Sequence, residues 1–410
     1  MILRFILFAA LLLASGPLRA ETPEQKAGFA PKLLIYLAKG QPNSCGPGCD
    51  RWIAIEGTLD REAAARVRRF LVGVKDTRVP IYLYSPGGSV DQSYLIGRLL
   101  RHRKAIARIG RTLVTACAAG TQIDNSCLKI KTAGGEIQAD LTTHHAMCNS
   151  ACGYLFLGAT TREVAPDAVV AVHNSKLTLI VHGHASAQQI EEIRARDIAK
   201  GNRERTAFIA AMGISHELDD LIATVKFENL HILTRAELYR FGVDTRPFSE
   251  TLWTLENVAR PYVHKIASAK KGDGAFRTME WRLFCETKDR ARLMFAREFD
   301  QGAAGKSSMM MMVGPEKSLA FGRFPARVGS YEVWSDKVAP DLVNAIVAAD
   351  RLQMGESTSA PDGTRDLATF GIDTSGLQPA WAQLFASCPA GAPGARPAMP
   401  APGLTSAHAP

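Results

Sequence analysis

Between Arg51 and His173 short β-branched runs alternate with runs of helical period, and this alternation restricts the fold more than composition does. Arg51-Trp-Ile-Ala-Ile-Glu-Gly reads as a strand. Leu59 to Val74 follows with apolar residues at helical spacing and Asp60 placed as an N-cap. Val79 to Tyr84 is a β-branched and aromatic strand that runs into Pro86-Gly87-Gly88, and Val90 to His102 is a second amphipathic helix. Ile106 to Val114 is strand-like, residues 118–146 read as a loop insertion rich in Gly, Thr and Asp, and Ala151 to Leu157 starts another helix. Ala168 to His173 is a buried strand, and Ala185 to Met212 a long helix with acid–base pairs at i,i+4 on a solvated face. Strands separated by helices of this length need crossover connections, so the expected fold is α/β with a largely parallel sheet.

The texture changes near Phe248. MEWRLFCETKDRARLMFAREF and FGRFPARVGSYEVWS read as strand pairs and Ala339 to Met354 as a helix, which predicts a small α+β domain over residues 248–388 behind a first domain over 21–247. The run Met309 to Met312 reads as packing or flexible filler rather than as a ligand site. Residues 389–410 have the Pro, Ala and Gly composition of a disordered tail. At the other end Arg4 precedes an apolar core from Phe5 to Ala14, Gly16-Pro17 breaks it, and Ala20 supplies a small residue. That is the pattern of a signal peptide over residues 1–20, too short to span a bilayer. The expectation is an exported, periplasmic or secreted protein of a bacterial envelope, with no stable membrane insertion once the signal is removed.

Eight cysteines in an exported chain suggest disulfides, although eight allow 105 pairings. Cys45-Gly-Pro-Gly-Cys49 can close a tight loop, Cys117 with Cys127 can staple the insertion, and Cys285 with Cys388 would bracket the C-terminal region. Cys148 and Cys152 are expected to bond elsewhere, because a bridge at that spacing fits a helix poorly. A four-cysteine zinc site or a thiol redox device would want short CxxC pairs, which the chain lacks, so neither a metal nor a cofactor is called for. The net charge of +9 comes from scattered Lys and Arg without aromatic–basic interleaving, which reads as a solvated basic surface and not as a nucleic-acid site.

The chemistry concentrates in CNSACGYLFLGATTREVAPDAVVAVH, Cys148 to His173. Ser150 stands just before an apolar helix, where free backbone N–H groups and the positive dipole end favour developing negative charge. The N–H of Ala151 is then a natural oxyanion donor. A serine hydroxyl needs an adjacent base, and His173, ending a buried strand, is the best candidate; His144 and His145 are nearer in sequence but lie in a polar loop. Gly87 and Gly88 follow a strand directly, and glycine lets backbone N–H groups approach a ligand closely.

SPGGSV followed by a helix, then a serine in small-residue surroundings opening a helix, then a strand ending in His, resembles the Clp-type serine proteases of the Clp/crotonase superfamily. HILTRAELYRFGVD, His231 to Asp244, is similar to that family's later strand, turn and helix, so the resemblance covers roughly Trp52 to Asp244. The flanking CxSAC and the signal peptide resemble an exported bacterial branch. The resemblance implies a ClpP/crotonase-like spiral of β-β-α units. It also implies Ser150 as nucleophile, His173 as general base, and Gly87 or Gly88 with Ala151 as oxyanion donors. The family's aspartate departs from the pattern: Leu230 occupies its position, a one-residue slip would put Asn229 beside the histidine, and Glu228 lies one residue earlier. Asp219 and Asp220 stand at about the right distance from His173 but fall in a helix-like run, HELDDLIATV. Lys176 is near His173 without matching the serine–lysine relatives, and a crotonase-like hold on a coenzyme A thioester does not suit an exported chain. The expected function is a periplasmic serine hydrolase acting on peptide or protein substrates. The alternative is a non-catalytic binding or assembly module of the envelope with the same fold. The chain has no obvious equivalent of the element that builds the family's double rings, so a smaller homo-oligomer or a monomer is expected.

Overall fold

Wholly apolar runs become strands covered on both faces here, and alternating runs become strands with one packed face. The computed structural model describes residues 30–179, 186–299, 306–315, 317–322, 325–359 and 365–390; the expected signal segment and residues 391–410 of the expected tail lie outside them. The first half contains β1 (Leu34–Lys39), β2 (Arg51–Glu56), α1 (Ala63–Gly73), β3 (Ile81–Tyr84), α2 (Val90–His102), β4 (Ile106–Ile109) and β5 (Arg111–Val114). It continues through α3 (Asn125–Thr132), β6 (Glu136–Thr142), β7 (Met147–Asn149), α4 (Ala151–Leu157), β8 (Thr161–Glu163) and β9 (Val169–Val172). It ends with α5 (Ala187–Ala211), α6 (His216–Thr224), β10 (His231–Ile232) and α7 (Arg235–Arg240).

Seven strands form one sheet in the order β5-β6-β1-β2-β3-β4-β8, and β10-β9-β7 form a second. The central run β2-β3-β4-β8 is parallel, with Ile53 opposite Ile81 and Ile55 opposite Leu83. β1 on β2 and β5 on β6 are antiparallel. Trp52, Ile53, Ala54 and Ile55 are all buried, as a strand covered on both faces requires. Two expectations change. The strand-like Ile106 to Val114 breaks at Gly110 into β4 and β5, which occupy distant places in the sheet. The segment 118–146 is not a plain loop insertion: it carries α3 and β6, and the alternation of Glu136–Thr142, with Ile137, Ala139 and Leu141 inward, pairs it to β1.

Helix α4 crosses α2 at backbone distance. A Cβ on Gly158, just past α4, would stand 2.2 Å from the Gly97 carbonyl oxygen, so neither position admits a side chain and the serine at the head of α4 is fixed against α2. The Gly242-Val243-Asp244 end of α7 is anchored from below. Asp244 is buried, accepts from the Val164 N–H (2.8 Å) and Arg246 Nη2 (2.6 Å), and forms an ion pair with Arg235 Nη1 (2.8 Å). Burial would raise its carboxyl, but the two guanidinium groups outweigh it and hold the pKa at about 2.

The second half is mainly antiparallel. It contains β11 (Phe248–Glu250), β12 (Thr254–Glu256), β13 (Tyr262–Lys270), β14 (Phe276–Thr287), β15 (Arg290–Glu298), β16 (Lys306–Val313), β17 (Lys317–Ala320), β18 (Ala326–Val328) and β19 (Tyr331–Val338). α8 (Pro340–Ala348), β20 (Arg351–Ser359), β21 (Arg365–Asp373) and α9 (Leu377–Ala386) complete it. One sheet runs β11-β13-β14-β15-β19-β18 with β12 also on β13, and the other runs β17-β16-β20-β21. The expected helix Ala339 to Met354 stops at Ala348, and its last residues are strand β20, where Leu352 and Met354 point into the core. Met309 and Met311 are buried and Met310 faces out, so the methionine run is a strand with one packed face. Trp281, Phe295 and Trp334 centre this core; the main core of the first half draws on residues from Leu33 to Val243.

All eight cysteines are paired, as Cys45–Cys49, Cys117–Cys127, Cys148–Cys152 and Cys285–Cys388. The third corrects the expectation that Cys148 and Cys152 bond elsewhere. Cys148 belongs to a strand and only Cys152 to the helix, so the chain bends between them and brings the Cα atoms to 5.1 Å. No helix among the described residues is long and apolar enough to cross a membrane.

Candidate active site

The site is assembled by the parallel pairing of β7 with β9. Asn149 lies opposite Ala171, and the Ser150 N–H donates to the Ala171 carbonyl at 2.8 Å. His173 follows two residues after Ala171, and that short step carries its ring beside Ser150. The chain then turns sharply into α4: Ser150 has φ 55° and ψ −125°, a combination that side chains with a Cβ rarely adopt. Such backbone costs on the order of 1–3 kcal/mol and persists only where surrounding structure imposes it. The strand-to-helix bend exposes the hydroxyl ahead of the helix in the manner of a nucleophile elbow.

Ser150 Oγ lies 2.7 Å from His173 Nε2. The other ring nitrogen, Nδ1, lies 2.5 Å from the Phe227 carbonyl oxygen. A carbonyl can only accept, so Nδ1 carries the proton and donates it, which leaves the Nε2 lone pair to accept from the serine hydroxyl. The Phe227 ring also stacks on the imidazole, with centroids 4.9 Å apart and planes 24° apart. His173 is therefore oriented on both nitrogens and one face, and it is 6% exposed.

The third position is where the sequence expectation fails. Asn229 is exposed in the turn after α6 and its N–H donates to the Lys226 carbonyl; the group on His173 Nδ1 is the Phe227 main chain, two residues earlier. A backbone carbonyl serves because the turn 226–229 presses it against the ring, and no side-chain signal announces it. Glu228 is exposed as well. Asp219 is buried on α6, but it pairs with Arg205 Nε at 2.5 Å and accepts from Thr206 Oγ1. The same guanidinium reaches Asn174 Oδ1 at 3.3 Å, so Asp219 braces the residue after His173 without touching the histidine. Asp220 lies near exposed His216. Lys176 sits over the Phe227 ring at 5.6 Å. The His144 and His145 rings meet edge to face, with centroids 3.8 Å apart, and His144 Nδ1 lies 3.9 Å from Glu256 of the second half.

The Gly87-Gly88 turn is tied to the serine strand. The Ser85 N–H donates to the Met147 carbonyl (2.9 Å) and the Asn149 N–H to the Ser85 carbonyl (3.0 Å). Gly87 has φ 109°, and a Cβ there would stand 2.8 Å from Ser150 Cβ and 3.1 Å from the Ala151 nitrogen, so only glycine fits. The three expected N–H donors are not equivalent. Gly87 donates to Ser85 Oγ at 3.1 Å, whereas the N–H groups of Gly88 and Ala151 have no acceptor among the described residues. The free pair is therefore Gly88 with Ala151.

Behind the serine a cavity of about 10 Å³, room for about one water, is lined by Ser150, Gly153, Leu157, Val172, His173 and Leu218 among others. Among the described residues no group of three or more His, Cys, Asp or Glu is arranged to hold a metal ion.

No family model matches the chain, and no curated protein matches it. Among solved structures, the serine-to-alanine mutant of the 1510-N membrane-bound stomatin-specific protease is matched at 16% identity over 47% of this chain and 75% of that one, with a TM-score of 0.27. Invasion associated protein b from Bartonella henselae is matched at 12% identity over 33% of this chain and 92% of that one, also with a TM-score of 0.27. At such similarity the site rests on its own geometry.

Proposed function

We propose that this chain is an exported serine hydrolase with a Clp-type spiral fold, acting on peptide bonds of proteins or peptides. The observation that carries the reading is the 2.7 Å contact between Ser150 Oγ, held in a strained strand-to-helix bend, and an imidazole whose other nitrogen is already committed to a carbonyl. Ser150 Oγ attacks the substrate carbonyl carbon while His173 Nε2 takes the hydroxyl proton. The oxygen that gains the negative charge is received by the N–H groups of Gly88 and Ala151. The imidazolium then gives its proton to the departing amine, and a water activated by the same nitrogen releases the acyl group. The Phe227 carbonyl orients the ring and offers a dipole to the imidazolium but no counter-charge. Four disulfides suit an oxidising compartment, which supports export.

A non-catalytic binding module of the same fold is the second reading. It is favoured by the absence of a carboxylate among the hydrogen-bond partners of His173 and by a cavity beside Ser150 with room for about one water. A fluorophosphonate probe separates the two. Labelling of the wild type and none of Ser150→Ala is expected, together with turnover of casein or short peptides by the wild type alone. Equal lack of labelling in both proteins under oxidising conditions would sink the hydrolase.

A further inference from the structure

Two disulfides of this chain have the same spacing and nearly the same span. Cys45–Cys49 and Cys148–Cys152 each close five residues, with Cα atoms 5.0 and 5.1 Å apart. A bridge at this spacing requires the chain to turn sharply inside it. In the first loop, between β1 and β2, glycine supplies the turn, with Gly46 at φ 108° and Gly48 at φ 71°. In the second the turning residue is Ser150 itself at φ 55°, and glycine is not an option because the position must carry the hydroxyl. The strained conformation therefore needs an outside restraint.

The bridge has the geometry to be that restraint. If Ser150 relaxed to ordinary helical angles, α4 would extend back through Asn149 and Cys148 would become an i,i+4 neighbour of Cys152. Helical i,i+4 Cβ atoms stand about 5–6 Å apart, whereas a disulfide wants about 3.5–4.5 Å. The cross-link is thus compatible with the bend and opposes its relaxation. Both half-cystines are fully buried in the main core of the first half, so the link is anchored rather than floating. The Ser150 N–H on the Ala171 carbonyl and the Asn149 N–H on the Ser85 carbonyl hold the strand side of the bend, and the Gly153 N–H on the Ser150 carbonyl holds the helix side, whereas the bridge joins the two sides covalently.

We propose that Cys148–Cys152 is a positioning clamp for the nucleophile. It keeps Ser150 in the bent conformation that directs Oγ to His173 and leaves the Ala151 N–H without an acceptor. The inference rests on the hydrolase reading for its kinetic consequence and on the backbone geometry for its structural one, and the test reads both.

The comparison is Cys148→Ala/Cys152→Ala against Cys45→Ala/Cys49→Ala, each in the full exported chain. Loops of equal length should contribute equally through the unfolded state, so similar shifts in urea midpoint are expected. The rate of fluorophosphonate labelling should fall about 10- to 100-fold in the first variant, the scale of a misplaced reacting group, and stay at the wild-type value in the second. Amide hydrogen exchange over residues 149–153 should accelerate only in the first. Should the alanine pair not fold, folded wild type partly reduced by dithiothreitol replaces it. Two electrons then pass from the dithiol, which closes to its cyclic disulfide, to the protein disulfide, and labelling should fall in proportion to alkylated Cys148 and Cys152. Wild-type labelling and exchange in the clamp variant, or equal losses in both variants, overturn the clamp. If the wild type is not labelled at all but exchange still accelerates only over 149–153, the hydrolase reading fails and the clamp stands.

Discussion

Each half of the molecule buries a histidine that follows a valine in a strand-like run, Val172-His173 and Val263-His264, and the two are held in opposite ways. His173 has two neutral hydrogen-bond partners, a hydroxyl and a main-chain carbonyl. His264, on β13, lies between two carboxylates, Glu256 at 3.2 Å and Glu280 at 3.4 Å, with Arg282 paired to Glu280 behind it. Burial pulls the His264 pKa down, yet the two carboxylates outweigh burial and push it up to about 9. A histidine fixed as a cation has no lone pair with which to take a proton from a hydroxyl. One framed by a hydroxyl and a main-chain carbonyl keeps its Nε2 directed at the hydroxyl. The local sequences look alike, and the partners brought by the fold decide which of them can act as a base and which is a structural ion.

The sharpest way to break this comparison is to remove each histidine in turn. His173→Ala should lower fluorophosphonate labelling by about 10²–10⁴-fold, the usual worth of a general base, with little change in unfolding midpoint. His264→Gln should do the reverse. It leaves half-buried Glu256 without its cation and half-buried Glu280 with Arg282 alone, at a cost of about 3–5 kcal/mol, while labelling per folded molecule is retained. Four of the five tryptophans, Trp253, Trp281, Trp334 and Trp381, lie in the second half, so urea unfolding followed by tryptophan emission reads that half selectively.

A pH series sharpens the same point with a somewhat smaller effect. The folded pKa of His264 lies above its unfolded value near 6.5, so its contribution is fully present below about pH 6.5 and lost as pH rises through about 9. Wild type should lose about 3 kcal/mol of second-half stability across that window, and His264→Gln should lose much less. A flat wild-type profile would mean that the two carboxylates do not hold the proton.

Much of the first half was legible because its strands are short apolar runs and its helices have clean period. Ser150 and His173 could be paired from sequence because a serine before a small-residue helix and a histidine ending the next strand need only β7–β9 pairing to meet. The carbonyl on His173 was not legible, since every residue has one and only the turn 226–229 selects that of Phe227. Nor was the division of the candidate N–H donors into engaged and free, which hinges on Ser85 Oγ occupying the Gly87 N–H. The Cys148–Cys152 bridge was misread for a related reason: the spacing was judged against a helix, whereas the helix begins only after the bend at Ser150. In the segment 118–146, Gly and Thr content masked the period-two pattern of β6.

The smallest predicted effects bear on that carbonyl. Phe227→Ala keeps the main-chain acceptor but removes the ring stacked on the imidazole, and should slow labelling about 3- to 10-fold, the value of an aromatic contact of roughly 0.5–1.5 kcal/mol. Asn229→Ala should change the rate hardly at all, because the Asn229 side chain is exposed and only its N–H, which alanine retains, joins the turn. The pair of variants is informative together. If the histidine were oriented by the amide of Asn229, as the sequence pattern suggested, the order would invert and Asn229→Ala would carry the large loss. With the Phe227 carbonyl as the orienting group, no side-chain deletion in the turn can match His173→Ala, and only a change that moves the backbone, such as Phe227→Pro, should approach it.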